Sequence, residues 1–135
     1  MKTILFLSKL HVQSYSPINI ITSNVLPARR TLPVRTQGAD KIPISTEYKN
    51  EGHGYSAKVT YADGSLPTIS GGPLGRDQFK FFNFHFHWPS EHLIDGKQYA
   101  AELHIVHFNT KYATVSEAAT KPDGLGVVGV FLEVR

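Results

Sequence analysis

Apolar and polar residues alternate through GYSAKVTY (54–61), where Tyr55, Ala57, Val59 and Tyr61 interleave with Ser56, Lys58 and Thr60. A two-residue period predicts a strand, and Ala62-Asp63-Gly64 supplies the turn that ends it. Phe79 to Trp88 predicts an aromatic strand, and Tyr99 to Phe108 a second one after the turn signal Ile94-Asp95-Gly96-Lys97. Gly71-Gly72-Pro73-Leu74-Gly75 reads as a loop, and Ser116 to Thr120 as a helical turn before Lys121-Pro122-Asp123-Gly124. The nearly unbroken β-branched run from Leu125 to Val134 predicts a strand covered on both faces. Before Glu47 the pattern is broken by Pro17, Pro27, Pro33 and Pro43, which predicts extended segments and turns, with residues 1–15 irregular. No internal repeat is visible, and the fold class is mainly β.

A chain of 135 residues suffices for one domain with a core. With 41% apolar and 19% charged residues it is neither a disordered tail nor a coiled coil. The net charge of +3 is partly local, in Arg29, Arg30 and Arg35, and reads as a solvated loop. No aromatic stripe or motif of a nucleic-acid binder accompanies it, so no nucleic-acid partner is expected. Cysteine is absent, which excludes disulfides, thiolate metal sites and cysteine nucleophiles. The start MKTILFLSKLH imitates a signal peptide, but the apolar run Ile4 to Leu7 is short, Lys9 interrupts it and no small-residue cleavage site follows. No run approaches the ~20 apolar residues of a membrane span. A soluble protein is expected, with cytoplasm and secretion both left open.

Three of the seven histidines and a glutamate fall within FNFHFHWPSEH (82–92). Along a strand alternate residues share a face, so Asn83, His85 and His87 point one way and Phe84, Phe86 and Trp88 pack a core on the other. Cα atoms two residues apart are roughly 6.6 Å apart, close enough for two imidazoles to lean onto one ion. In YAAELHIVHF the same period puts Glu102, His104 and Val106 on one face and Leu103, Ile105 and His107 on the other. If the two strands pair antiparallel, His104 completes three nitrogens around one point and leaves a fourth position for water, the arrangement of catalytic zinc. Glu102 and Asn83 can each accept a hydrogen bond from the outer ring nitrogen of a ligand histidine. An isolated His-x-His is more often not a metal site; the joint occurrence of three histidines and two supporting partners favours metal. His92 and His107 read as surface or core histidines.

These residues are identified with a family. FNFHFHWPSEH, followed by YAAELHIVHFNTKY and PDGLGVVGVFLEV, resembles the α-type carbonic anhydrases, and the likeness extends to SPINI (16–20), NEGHGYS (50–56) and GGPL (71–74). The resemblance implies a partial carbonic anhydrase domain over 16–135, a central, mostly antiparallel twisted sheet with few short helices. It implies Zn2+ held by His85, His87 and His104, with Asn83 where the family often carries glutamine and Glu102 behind His104. Glu91 resembles the glutamate that orients a threonine hydroxyl beside the metal, His53 the proton shuttle, and Val106 and Val127 parts of the apolar wall where carbon dioxide rests. The implied activity is that of a zinc lyase: reversible hydration of carbon dioxide to bicarbonate by zinc-bound hydroxide.

The family domain is about twice as long, with Arg135 near its middle. The resemblance therefore also implies a fragment or incomplete product that lacks the threonine partner of Glu91, several strands and half of the apolar pocket. Activity is then expected only when the missing half is supplied, and the exposed sheet is expected to favour self-association. A non-catalytic carbonic anhydrase-related module that binds zinc or a protein partner is the alternative. A cupin-like site, in which the spacing His85-x-His87-x3-Glu91 would make Glu91 a metal ligand, lacks its second motif around His104.

Overall fold

The computed structural model describes residues 4–9, 16–26, 32–50, 52 and 54–133, with side chains everywhere in that range except 4–9. Its strands are β1 (Ile4–Lys9), β2 (Asn19–Ile20), β3 (Arg35–Gln37), β4 (Ser45–Asn50), β5 (Tyr55–Thr60), β6 (Thr68–Ser70), β7 (Phe79–His87), β8 (Leu93–Ile94), β9 (Ala101–Asn109) and β10 (Leu125–Leu132). One short helix, α1 (Val115–Ala119), follows β9. Thr114 caps it by accepting from Glu117 N. Among the described residues eight strands form one antiparallel sheet in the order β1-β10-β9-β7-β5-β4. β6 pairs with the first half of β7, and β3 with β6. β2 and β8 form a separate parallel pair.

The centre of this sheet is the β7–β9 ladder, and one irregularity sets its faces. Phe81 pairs with His107 but Asn83 pairs with Val106, which leaves Phe82 as the extra residue of a bulge. A bulge breaks the two-residue period. Phe79 and Phe81 consequently share the face of Phe84, Phe86 and Ile105, opposite the face of His85 and His104. There Phe79, Ile69 and Leu74 form the buried cluster, with Val128 packed against it. Close approach is enforced at Gly126, where a Cβ would stand 2.8 Å from a Leu74 methyl and 3.2 Å from the Phe79 ring. Burying a phenylalanine such as Phe79 stabilises by roughly 2–3 kcal/mol, and truncating it to alanine costs about 3–5 kcal/mol.

The far half of the same face is less covered. Phe84 and Phe86 meet edge to face, 6.2 Å between centroids, and are only half-buried. Trp88, expected in the core, lies past the end of β7, is 54% exposed and stacks on Tyr55 at 5.7 Å. An exposed aromatic face does not itself specify what covers it, so the expected self-pairing gains no support from it.

Other expectations shift as well. The segment 1–15, expected to be irregular, contains β1, which pairs with β10 from Ile4↔Phe131 to Lys9↔Gly126. β10 lies between β1 and β9, but its buried residues are Gly126, Gly129 and Phe131 while its valines are half-buried. Both faces are covered in part, one at Gly126 by Leu74 and Phe79 and the other at Phe131 by Tyr99, and Val134 lies outside the described residues. Arg35 is exposed at the start of β3, not in a loop, and Arg29 and Arg30 lie outside the described residues. No helix among the described residues is long and apolar enough to cross a membrane.

Candidate metal centre

The ladder register brings the histidines together. In the antiparallel pairing of β7 and β9, His85 stands directly opposite His104, His87 opposite Glu102 and Asn83 opposite Val106. Directly paired residues share a face, so three imidazoles crowd one patch of sheet. Their ring centroids are 4.9 Å (His85–His87), 5.1 Å (His85–His104) and 4.9 Å (His87–His104) apart. One nitrogen from each ring lies within 4.8 Å of the other two. Gly54 keeps the neighbouring backbone close: a Cβ there would stand 2.3 Å from Phe86 O.

Behind His104 a buried carboxylate ties the ring in place. Glu102 is wholly buried. Its Oε1 accepts from His104 Nε2 at 2.5 Å and from His92 Nδ1 at 2.6 Å, and its Oε2 accepts from His92 N at 2.9 Å. Burial alone would raise the carboxyl, but the bonds from His104 and His92 outweigh it and hold the group well below the ordinary carboxylate range. His104 therefore donates Nε2–H to Glu102, which leaves Nδ1 as the nitrogen it can offer beside His85 and His87. His92 Nε2 in turn accepts from Ser16 Oγ at 3.1 Å. His92, Glu102 and His104 could also be grouped as metal ligands. Oxygen–nitrogen separations of 2.5–2.6 Å are proton-sharing distances, however, whereas ligands on one tetrahedral zinc stand ~3.3 Å apart. That trio is a hydrogen-bonded support.

The remaining predicted residues are distributed unevenly. Asn83 shares the ligand face, but its buried Oδ1 has no hydrogen-bond partner among the described residues. Glu91 reaches His87 Nε2 at 3.4 Å and His104 Nδ1 at 4.0 Å through the same Oε2. Val106 and Val127 are cross-strand partners, both half-buried, on the ligand face. His53 lies outside the described residues. His107 points away from the cluster, is buried edge-on to Phe81 and donates Nδ1–H to Ile105 O at 3.1 Å. Burial pushes its pKa down to about 4. The residue whose role the sequence reading missed is His92; its signal was position alone, next to Glu91 and ten residues before Glu102.

The donor set suits a borderline ion such as zinc: three imidazoles, no thiolate, and a carboxylate fixing the tautomer of one ring. Sheet order and ligand face together fit a carbonic anhydrase, and the chain belongs to the eukaryotic-type carbonic anhydrase family, whose model matches residues 7–135. That match begins inside β1, ahead of the boundary expected at residue 16. Carbonic anhydrase 7 of Homo sapiens and carbonic anhydrase 7 of Mus musculus are each 43% identical to it over 128 residues, which is 87% of this chain and 46% of theirs. The chain thus spans about half the length of the curated relatives it matches.

Proposed function

We propose that the histidine face serves the reversible hydration of carbon dioxide to bicarbonate, with Zn2+ held by His85, His87 and His104. The observation that carries this reading is the convergence of three imidazoles within 4.8 Å on one sheet face, in a chain of this family. When bound, zinc supplies the Lewis acidity that makes a coordinated water nucleophilic at neutral pH, behaviour for which carbonic anhydrases are themselves the type case. Glu102 holds His104 in the tautomer that presents Nδ1, and His92 and Ser16 hold Glu102. Val106 and Val127 offer carbon dioxide an apolar wall beside the cluster, without donors that would fix water there. The anionic product loses solvation against such a wall, which favours its release. His53 is the proposed proton carrier, since an imidazole with an ordinary pKa of ≈ 6.5 both accepts and releases a proton near neutrality.

Zinc titration of the purified chain, paired with a hydration assay of the zinc-loaded form, tests this reading. Binding of one zinc per chain, abolished in His104→Ala, is expected. Hydration no faster than an equal concentration of free zinc would retire the catalytic reading for this chain. Where turnover is seen, His53→Ala should lower it by about 100-fold or more, the contribution typical of a positioned proton-transfer group. Imidazole buffer should restore it.

A further inference from the structure

We propose that residues 16–22 form a strap that positions the metal centre from the surface, with Thr22 and Asp95 locking its outer end. At its inner end Ser16 holds the ring of His92 against Glu102, the carboxylate that fixes His104. The inference rests on the three-histidine reading above and leaves the open corner of that site to water. The strap is tied rather than packed. Ile20 is half-buried, and every other residue from 16 to 26 is exposed. β2 meets β8 over two residue pairs, Asn19↔Leu93 and Ile20↔Ile94, too short a ladder to stand alone. Hydrogen bonds lengthen it: Leu93 N donates to Ile18 O at 3.1 Å, Asp95 N to Ile20 O at 3.0 Å and Gly96 N to Asn19 Oδ1 at 2.9 Å. The Asp95 carboxylate then takes two donors from one residue, Thr22 N at 2.8 Å and Thr22 Oγ1 at 2.6 Å. Asp95 and Gly96, with φ of 48° and 77°, form the two-residue turn between Ile94 and Lys97. Glycine would serve that backbone equally well. What the carboxylate adds is the tie to Thr22.

The inner end meets the metal site at a ring whose backbone is already fixed. His92 N donates to Glu102 Oε2 at 2.9 Å, and His92 O accepts from Ser90 Oγ at 2.8 Å. The orientation of the ring is then set at its two nitrogens. Nδ1 donates to Glu102 Oε1 at 2.6 Å, and Nε2 accepts from Ser16 Oγ at 3.1 Å. A donor at Nε2 keeps the ring proton on Nδ1, aimed at the carboxylate. The same Oε1 accepts from His104 Nε2 at 2.5 Å, so a shift of the His92 ring moves the acceptor that orients a metal ligand. Ser16 is 76 residues from His92, and Thr22 is 73 from Asp95. Contacts so distant in sequence depend on the strap staying in place, and the Asp95–Thr22 bonds close its exposed end.

Two readouts test the strap: cobalt(II) affinity followed by the visible spectrum, and solvent exchange of the His92 Nδ1–H and His104 Nε2–H protons in the metal-free chain. Ser16→Ala should weaken cobalt binding about 10-fold and speed both exchanges. Asp95→Gly should weaken it ~3-fold or more, the scale of a tie that acts at a distance. Asp95→Asn keeps the turn and an acceptor for Thr22, and should stay close to the wild type. In the Ser16→Ala background Asp95→Gly should add nothing further, because the strap then no longer reaches His92. Asp63→Gly, which removes an exposed carboxylate from the turn after β5, should leave both readouts unchanged. Wild-type affinity and exchange in Ser16→Ala and Asp95→Gly, or effects of the two that simply add, would overturn the strap and leave the three-histidine site standing. Failure of the wild type to hold one cobalt would remove both.

Discussion

Behind His104 a wholly buried carboxylate accepts three hydrogen bonds; on the neighbouring strand, two positions before His85, the buried carbonyl of Asn83 accepts none among the described residues. The two groups lie on one sheet face and on the same ladder. They differ in reach and in company. Glu102 meets donors from His104 and from both the ring and the backbone of His92, so its desolvation is offset several times over. The Asn83 side chain is one methylene shorter than a glutamine, and its oxygen has no donor among the described residues. A buried polar group is worth what its partners make of it.

Removing Glu102 should have the largest effect. In Glu102→Ala the rings of His92 and His104 and the backbone N–H of His92 lose a shared acceptor at once. Stripping one side of a buried ionic network costs about 3–5 kcal/mol. Denaturant unfolding should show that loss, and zinc titration should show affinity weakened about 10- to 100-fold. A loss below ~1 kcal/mol would mean that the three bonds only fill space, and the contrast with Asn83 would disappear.

A histidine buried without any carboxylate sharpens the same comparison. His107 sits three residues from His104 on the opposite face, with backbone carbonyls of Ile105 and Gly126 for company, and burial depresses its pKa to about 4. Its unfolded value is ≈ 6.5. Between those values the unfolded chain holds the extra proton, so stability must rise with pH through that window. The stabilising term is complete above pH ~6.5, is lost progressively as pH falls toward ~4, and is constant below. The integrated loss is about 3 kcal/mol for a shift of this size. Unfolding of the metal-free protein followed from pH 7 to pH 4 should show it. His107→Phe should flatten that part of the profile, and an unchanged profile would show that His107 titrates alike in the folded and unfolded chain.

How much of this was readable in the chain follows from what each residue is constrained by. His85, His87, His104 and Glu102 were legible because a central ladder imposes period two on both strands, and the register then leaves no freedom. The bulge was marked by the adjacent Phe81 and Phe82, where strict alternation admits one apolar residue, but its place on the far side of the ladder was not. β4 went unread because an edge strand buries little and its composition is correspondingly loose; all but one of its residues are exposed. β1 went unread because the apolar run from Ile4 to Leu7 reads as the start of a signal peptide as readily as a strand partner of β10. Trp88 was misplaced because the strand ends one residue earlier, at His87. His92 was undervalued because its partner is ten residues away across a turn, a contact that no local period encodes.

The smallest expected effect probes the weak flank directly. Asn83→Gln adds one methylene and moves the amide oxygen outward by roughly one bond length along the histidine face. Its carbonyl can then reach a donor that the asparagine oxygen misses, which converts an unsatisfied buried acceptor into a bonded one. Such a conversion is worth about 1 kcal/mol. Zinc affinity should rise by up to ~10-fold if the new bond steadies a ligand ring. Overpacking opposes the gain, since an added methylene in a filled site costs of order 1 kcal/mol or more. The outcome therefore discriminates. A variant that is more stable and binds zinc more tightly shows that the flank lacks only reach. One that is less stable, with zinc binding unchanged, shows that the space beside Val106 is already full and that this flank holds its histidine by packing alone.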